Sequence, residues 1–259
     1  MKIACLQMDI KYGEPDANRE KAKRMMEEAA ENGADVIVLP EMWNTGYQLD
    51  ELAQIADQDG QNTKELLSVL AAKYQINIIG GSVSVKRKEG YYNSMFIFDR
   101  QGNQVGEYDK AHLFTLMDEH HYLEAGQRSN FFPIDGMLCG GVICYDIRFP
   151  EWIRKHALGG ANILFVPAEW PKPRIDHWEI LLKARAIENQ MYVVAVNRVG
   201  ADPKNIFNGH SMVIAPWGEV ILNGGEEEGI GYAEVDLDEV RRVRELIPVY
   251  KDRRESLYK

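Results

Sequence analysis

A similar eleven-residue segment occurs twice in the chain and constrains its fold more than any other feature. Residues 33–43 read GADVIVLPEMW and residues 160–170 read GANILFVPAEW, so both have Gly-Ala, a polar residue, four apolar residues, a proline and a final tryptophan in register. Each segment follows a helical stretch that itself follows an apolar strand. The repeat predicts two related strand–helix–strand units, one in each half of the chain, packed about a pseudo-twofold axis. Chance similarity between buried strands remains the alternative, because strands use few residue types.

Apolar runs of strand length alternate with longer amphipathic stretches along the whole chain, which is the pattern of an α/β protein. The predicted elements are strands at residues 3–9 and 33–41, helices at 16–32 and 63–75, an apolar run at 76–85, and two antiparallel strands within 91–110 around a turn at 101–103. No linker, low-complexity tract or block of like charge divides the sequence. We therefore predict a single domain over residues 1–259.

The formal net charge of −10 argues against a surface that follows nucleic-acid phosphates, since such binding depends on Lys and Arg. The basic segment at residues 241–254 is interleaved with acids and is predicted to form a solvated surface. No apolar run approaches the ~20 residues that span a bilayer, and the N-terminus lacks a signal-peptide core. We therefore expect a cytoplasmic protein that binds neither nucleic acid nor membrane.

Three cysteines, Cys5, Cys139 and Cys144, occur without a CxxC pair, and a reducing compartment is the simplest explanation. No Cys/His spacing would gather the four ligands of a zinc site. A nucleotide-binding α/β module is an alternative, but no GxGxxG or Walker segment supports it. The sequence therefore predicts neither a metal nor a cofactor.

Three predicted strands finish on charged or reactive residues, namely Glu41, Lys110 and Cys144. Taken separately, a strand-end Glu or Lys usually emerges into solvent, and a lone cysteine is usually one more buried apolar residue. Where the first repeat has Glu41, however, the second has Ala168. A carboxylate at the end of a buried strand is costly to desolvate unless something uses or pairs it, and ligand sites of open α/β sheets lie at such strand ends.

These residue types together can supply a nucleophile, a base and oxyanion donors. A thiol becomes a useful nucleophile as thiolate, so it needs a base or a positive field nearby. A glutamate can be that base if burial makes it basic enough, and a lysine can stabilise the oxyanion that forms on an attacked carbonyl. The helix predicted after Cys144, in residues 148–158, would add free backbone N–H donors at its start.

The segments LPEMW around Glu41, YDKAHLF around Lys110 and GGVICYDIRFPE around Cys144 resemble the catalytic segments of the nitrilase superfamily, the carbon–nitrogen hydrolases, in order and separation. The resemblance continues through residues 177–197 and 209–220 to the C-terminal IPVYKDRR, so it covers nearly the whole chain. It implies an α/β fold, a four-layer αββα sandwich with two mixed β-sheets and internal pseudo-twofold symmetry. It also implies a homodimer or higher homo-oligomer.

The resemblance assigns roles residue by residue. It implies that Cys144 is the nucleophile, Glu41 the general base and acid, and Lys110 the oxyanion stabiliser. A second glutamate of the family matches Glu119 in the segment DEHHYLEAG, where an error of register would select Asp118 or Glu124 instead. A catalytically silent family member is a remaining alternative, although all three triad residue types are present.

The Cys-Tyr-Asp sequence at the nucleophile resembles the amidase-like branch, and the continuation DIRFPEW looks closest to the ω-amidases. This implies hydrolysis of a small carboxylate-bearing amide, 2-oxoglutaramate or 2-oxosuccinamate, to the acid and ammonia through a cysteine thioester. Alternatives within the superfamily are an N-carbamoyl amino acid or β-ureido acid hydrolase and a nitrilase. The candidate substrate-binding residues are Tyr145, Arg148, Tyr47 and Trp170. Arg148 could instead pair with Asp146 or Glu151, and the aromatic residues could instead be plain core.

Overall fold

Strands and helices alternate over residues 2–79 and again over residues 137–197, as the sequence predicts, and a run of consecutive strands follows each of these stretches. The computed structural model describes residues 1–258. Its strands are β1 (Lys2–Gln7), β2 (Val36–Val38), β3 (Asp57–Gln58), β4 (Asn77–Ile79), β5 (Val83–Arg87), β6 (Gly90–Phe98), β7 (Gln104–Asp109), β8 (Phe131–Ile134), β9 (Met137–Gly141), β10 (Ile163–Ala168), β11 (Tyr192–Asn197), β12 (Val199–Ala201), β13 (Ile206–Asn208), β14 (Met212–Ile214), β15 (Val220–Asn223) and β16 (Gly229–Glu234).

The α-helices are α1 (Pro15–Glu31), α2 (Leu52–Ile55), α3 (Gln61–Tyr74), α4 (Glu119–Tyr122), α5 (Pro150–Leu158), α6 (Ile175–Asn189), α7 (Glu239–Leu246) and α8 (Val249–Asp252). Short 3₁₀ turns connect them at Leu49–Glu51, Thr115–Met117, Cys144–Arg148, Lys172–Arg174 and Glu255–Leu257. The predicted helices at 16–32 and 63–75 are α1 and α3, and the predicted hairpin is β6 and β7, which pair antiparallel.

The two large sheets repeat one strand arrangement, which agrees with the duplicated segment. In the first sheet β1, β2 and β4 run parallel, with β16 antiparallel at one side and β6 antiparallel at the other. In the second sheet β9, β10 and β11 run parallel, with β8 and β14 antiparallel at the two sides. Because β2 and β10 are the central strands of these sets, the two copies of the repeated segment occupy equivalent places.

The sheets pack face to face and helices cover their outer faces. Side chains alternate along β1: Ala4 packs in a core with Met26 of α1 and Leu67 of α3, whereas Ile3 belongs to the core that includes Phe165 of the second sheet. Helices α5 and α6 complete this second core from the opposite side. The fold is therefore the predicted four-layer αββα sandwich.

The apolar run at 76–85 is interrupted rather than continuous. It forms β4 and β5, which Gly80 and Gly81 separate. Gly81 has a φ of +59°, and a Cβ there would lie 2.1 Å from the carbonyl oxygen of Pro40. Glycine is therefore required for this close approach. The approach holds the segment after β2 against β5, since the backbone N–H of Met42 donates to Oγ of Ser82 at 3.0 Å.

None of the helices within residues 1–258 is both long enough and apolar enough to cross a membrane.

Candidate active site

Glu41 lies three residues beyond the end of β2, in a loop that the surrounding backbone holds closely. Its side chain is fully buried and accepts four hydrogen bonds. Oε1 accepts from Tyr47 Oη, Asn93 Nδ2 and Lys110 Nζ, each at 2.8 Å. Oε2 accepts from the backbone N–H of Glu169 at 2.8 Å. These donors stabilise a carboxylate at this position in spite of its burial.

Lys110 follows β7 directly and is buried between two carboxyl groups. Its backbone N–H donates to the carbonyl oxygen of Asn93 at 2.9 Å, and this bond fixes the start of the side chain. Nζ lies 2.8 Å from Oε1 of Glu41 and 2.6 Å from Oε1 of Glu119. The ammonium therefore joins the loop after β2 to the first residue of α4.

Glu119 is the first residue of α4 and is fully buried. Its Oε2 accepts a hydrogen bond from the backbone N–H of Phe114 at 2.6 Å, and its Oε1 lies 2.6 Å from Tyr47 Oη. The register alternatives Asp118 and Glu124 are not buried. Of the three acidic side chains, the structure brings Glu119 to Lys110.

Cys144 begins the 3₁₀ turn that follows β9, and its backbone has a φ of +44°. Asp146 stabilises this turn by accepting from the backbone N–H of Ile143 at 2.9 Å. The helix α5 begins only at Pro150, which has no N–H group. The expectation that the start of this helix supplies donors beside the thiol is therefore wrong, because the 3₁₀ turn separates the two.

Asp146 also connects the Cys144 turn to the segment that carries Lys110. Its Oδ1 accepts from the backbone N–H of His112 at 3.0 Å and lies 2.7 Å from Nδ1 of the same residue. Its Oδ2 accepts from Tyr108 Oη at 2.7 Å. The positions of the thiol and the ammonium are thus coupled through one buried carboxylate, and the alternative in which Arg148 pairs with Asp146 or Glu151 does not occur.

The electrostatics of the cluster favour a neutral thiol and a charged lysine. Burial raises the pKa of Cys144 well above its ordinary value, and the negative charge of Glu41 raises it further, while Lys110 opposes both. Burial alone would lower the pKa of Lys110, but the carboxylates of Glu119 and Glu41 outweigh it and raise that pKa. Burial raises the pKa of Glu119, with Lys110 opposing the shift. A proton is therefore available within the cluster at neutral pH.

A small cavity opens on the outer side of the thiol. The empty space around its lining residues, counted out into open solvent at the mouth, is about 220 Å³. Its lining residues are Phe114, Cys144, Tyr145, Arg148, Glu169, Trp170, Pro171 and Arg174. Three of the four predicted substrate-binding residues, Tyr145, Arg148 and Trp170, therefore lie at one cavity with the thiol.

The fourth, Tyr47, belongs to the polar cluster behind the thiol. Its hydroxyl lies 2.8 Å from Oε1 of Glu41 and 2.6 Å from Oε1 of Glu119, so it is neither a wall of this cavity nor plain core. Since one hydroxyl proton cannot serve two acceptors at once, the geometry suits a proton shared among these groups.

Two guanidinium groups face the cavity. Arg148 stacks on the ring of Trp170 at 4.6 Å, and Arg174 lies 5.6 Å from the ring of Phe114. Within residues 1–258 neither has an acidic side chain within ion-pair distance, and the nearest polar partner of Arg148 is Nδ1 of His177 at 3.4 Å. Burial lowers the pKa of Arg148, and the nearby cation Arg174 lowers it further. Two neighbouring cations without an acid form a site for an anion.

Sequence reasoning missed Asn93, Glu169 and Arg174. Asn93 is a polar residue in the middle of an apolar strand, which was a usable signal, since buried polar groups in strands need a partner. Glu169 follows Ala168 in the second repeat, and comparison with Glu41 directed attention to the alanine instead. Arg174 ends the 3₁₀ turn Lys172–Arg174, which no local sequence pattern indicates. No group of three or more His, Cys, Asp or Glu side chains within residues 1–258 is arranged to hold a metal ion.

Comparison with known proteins identifies the class and then the family. The structure of Nit3 from Saccharomyces cerevisiae, a member of branch 10 of the nitrilase superfamily, superimposes with a TM-score of 0.90 at 29% identity, covering 98% of this chain and 96% of that chain. The fold is thus that of a nitrilase-type hydrolase. A family model for carbon–nitrogen hydrolases matches residues 2–245, and the chain belongs to this family.

Relatives with assigned activities are similar over nearly the whole chain. The chain is 54% identical over 256 residues to the 2-oxoglutaramate amidase of Bacillus subtilis, and the alignment covers 99% of this chain and 98% of that protein. It is 36% identical to the omega-amidase YafV of Escherichia coli strain K12, and the alignment covers 97% of this chain and 96% of that protein. The chain is therefore a hydrolytic enzyme that acts on amides, as the sequence predicts.

Proposed function

We propose that this chain hydrolyses the terminal carboxamide of a small 2-oxo acid, 2-oxoglutaramate or 2-oxosuccinamate, to the dicarboxylic acid and ammonia. The observation that carries the proposal is the pair of guanidinium groups, Arg148 and Arg174, that share the cavity of Cys144 and have no acid partner among residues 1–258. A carboxylate at the far end of the substrate would neutralise them while the amide reaches the thiol. Similarity to a 2-oxoglutaramate amidase supports this choice of substrate.

In the first half of the reaction Cys144 attacks the carbonyl carbon of the amide. Because burial and Glu41 keep the resting thiol protonated, the attack requires a base, and Glu41 takes the thiol proton. The S–C bond forms, and Lys110 stabilises the oxyanion. Glu41 then gives its proton to the nitrogen, the C–N bond breaks, and ammonia leaves a thioester on Cys144.

In the second half a water molecule opens the thioester. Glu41, again a carboxylate, takes a proton from the water as the oxygen attacks the thioester carbon. The C–S bond breaks, the proton returns to sulfur, and the acid product leaves. One carboxyl group thus serves as base and then as acid in each half, which agrees with a position that four hydrogen-bond donors hold fixed.

Glu119 and Tyr47 position the lysine for both halves. Glu119 contacts Nζ of Lys110 at 2.6 Å, and Glu41 contacts the same nitrogen at 2.8 Å. Tyr47 bridges the two carboxyl groups. The proposed roles are therefore nucleophile for Cys144, base and acid for Glu41, oxyanion stabiliser for Lys110 and positioning residue for Glu119.

We further propose that residues 1–259 form one domain, and that the protein is a cytoplasmic homodimer or higher homo-oligomer. The contact of Glu41 with the backbone of Glu169 supports one domain, because each residue comes from a different repeat. All three cysteines are free and buried, which suits a reducing compartment. Ile180 and Ile187 on α6 are exposed to 66% and 52%, and they offer apolar surface to a second copy. Sedimentation equilibrium at micromolar concentration tests the oligomer.

The test of the substrate is ammonia release from a panel of 2-oxoglutaramate, 2-oxosuccinamate, glutamine, carbamoyl-β-alanine and a simple nitrile. We expect the highest kcat/KM with one of the two oxo amides. A preference for carbamoyl-β-alanine or for the nitrile would overturn the proposal in favour of another reaction of the family.

A further inference from the structure

Glu169 is a buried carboxyl group of the cavity that the reaction proposed above does not use. It follows β10, is fully buried, and lines the cavity together with Cys144. Its Oε2 lies 3.1 Å from Nη1 of Arg198, but its Oε1 has no hydrogen-bond partner within residues 1–258. Buried polar atoms of native proteins nearly always have a partner, so an exception at a ligand cavity indicates that the ligand supplies it.

The surroundings of Glu169 favour its protonated form. Burial raises the pKa of Glu169, and the negative charges of Glu41 and Asp202 raise it further, while Arg198 lowers it. Together these effects raise the pKa to about 8. Arg198 opposes only in part, because it also donates to the carbonyl oxygens of Ile10 and Val199 and lies 3.7 Å from Asp9.

The remaining charged or titratable groups of the cavity are the thiol of Cys144 and the guanidinium groups of Arg148 and Arg174, together with the phenol of Tyr145. With Oε2 held by a donor, the proton of a neutral Glu169 resides on Oε1. Oε1 is then a hydrogen-bond donor without a partner within residues 1–258, on a residue that lines the cavity.

The oxo and amino forms of the candidate substrates differ in the group next to the carboxylate, which is a ketone in one and an ammonium in the other. A 2-oxo acid end carries only acceptors, a carboxylate and a ketone oxygen, whereas glutamine or asparagine carries an ammonium group, which only donates. We propose that Glu169 donates a hydrogen bond from Oε1 to the ketone oxygen of the substrate, and that it thereby selects oxo amides over amino acid amides. This inference rests on the proposed function, and it makes Glu169 a specificity-determining residue.

Two substitutions separate a donor from a merely structural group. Glu169→Gln keeps the shape, and because Arg198 can only donate, it orients the amide oxygen toward itself and leaves the amide NH₂ facing the cavity. Glu169→Leu removes the donor. With 2-oxoglutaramate and glutamine as substrates, we expect the Leu variant to lower the oxo-to-amino ratio of kcat/KM by about tenfold, the scale of one hydrogen bond. The Gln variant should keep that ratio within about threefold of the wild-type ratio.

A pH comparison gives a second readout that does not need the Leu variant to fold. Glu169 loses its proton as the pH rises through about 8, and its Oε1 then becomes an acceptor that repels the ketone oxygen. The wild-type kcat/KM for 2-oxoglutaramate, divided by that of Glu169→Gln at the same pH, should therefore fall between pH 7 and pH 9. Titration of the substrate is common to both enzymes and cancels in this quotient.

The outcomes distinguish this inference from the function on which it rests. If the wild-type enzyme hydrolyses neither oxo amide, the proposed function fails and the role of Glu169 fails with it. If the wild-type enzyme does hydrolyse them, an unchanged ratio in a folded Leu variant overturns the role of Glu169 alone. So does a Gln variant that loses the preference as the Leu variant does, because an amide N–H donor at the same place would then fail to support the preference. A quotient independent of pH contradicts the protonated donor.

Discussion

The backbone N–H of Glu169 donates to Oε2 of Glu41 at 2.8 Å, so one half of the pseudo-repeat holds the carboxylate that the other half contributes. The two residues follow β10 and β2, which are the equivalent central strands of the two sheets. The candidate site therefore lies where the two repeats meet. Neither repeat alone contains the groups that the proposed reaction needs, because Cys144 comes from the second repeat and Glu41 and Lys110 come from the first.

Replacing Cys144 by Ala should abolish turnover, because no thioester can form without the thiol. The fold should be retained, since only one sulfur atom is lost. Ammonia release with 2-oxoglutaramate and a thermal melt together check both statements. The matched control is Cys139→Ala, a buried cysteine of β9 that the mechanism does not use and whose loss should leave turnover in place. Substantial activity in Cys144→Ala would rule out the covalent mechanism.

Replacing Lys110 by Met should lower kcat by about 10²-fold or more, the scale for one oxyanion donor. The change also removes the only cation that contacts both Glu41 and Glu119 among residues 1–258. Breaking such a buried pair costs about 3–5 kcal/mol of stability at neutral pH, and part of this should return at lower pH as a carboxyl group takes up a proton. A rise in KM with kcat preserved would show that Lys110 binds substrate instead.

Glu41→Gln and Glu119→Gln should fail at different steps. Without a base at position 41 the thiol keeps its proton, so Glu41→Gln should form almost no thioester. Glu119→Gln places a neutral group of the same shape beside Lys110, so it should bind substrate but turn over slowly. Mass spectrometry of Cys144 after rapid mixing with substrate separates the two cases. Full, fast acylation in Glu41→Gln would exclude Glu41 as the base, and wild-type kinetics in Glu119→Gln would remove Glu119 from the mechanism.

Arg148→Met and Arg174→Met should each raise the KM for 2-oxoglutaramate, because each removes one cation from the proposed carboxylate site. The scale is about tenfold, that of a hydrogen bond to a charged group. The KM for a neutral aliphatic amide is the control. That substrate has no carboxylate for the arginines to bind, so its KM should not change. Equal losses on both substrates would indicate that the arginines support the cavity wall through their stacking on Trp170 and Phe114.

Arg100 should stabilise the fold in a pH-dependent way far from the site. Its guanidinium donates to both carboxylate oxygens of Asp135, at 2.8 and 2.7 Å, and this lowers the pKa of Asp135. A carboxyl group whose pKa is lowered on folding stabilises the fold at pH values above its ordinary pKa. This stability is lost as the pH falls through the pKa of the group in the folded protein. Arg100→Met should therefore cost about 1 kcal/mol at pH 7, and the difference from wild type in urea unfolding should shrink below about pH 4. A constant difference down to pH 2 would contradict this.

The sequence predicted the fold well because the fold depends on patterns that are local or repeated. The apolar runs and the duplicated segment identify β2 and β10, and the segments around Glu41, Lys110 and Cys144 resemble a known family strongly enough to predict the sandwich. The break between β4 and β5 was less visible. It depends on a close approach of Gly81 to Pro40, a contact between distant parts of the chain.

The sequence predicted the charged and reactive residues of the site, but it predicted the residues around them less well. Strand ends meet at one edge of a sheet, so Glu41, Lys110 and Cys144 could be expected together. The placement of Tyr47 between two carboxyl groups could not be expected, since it depends on how the loop after β2 folds over α4. Arg174 and Glu169 become visible only when the cavity is seen, because the feature that marks them is a missing partner.

The left-handed backbone of Cys144, with its φ of +44°, affects which residue at position 144 gives the most stable fold. A side chain in this region strains the backbone by about 1–2 kcal/mol, and glycine would relieve that strain. Position 144 is thus one where the requirement for a thiol opposes the requirement for a stable fold. In a lineage that no longer needs catalysis, mutation at this codon toward glycine should raise the melting temperature. A glycine there in an otherwise intact chain would therefore mark the loss of the enzyme more plainly than any change at its surface.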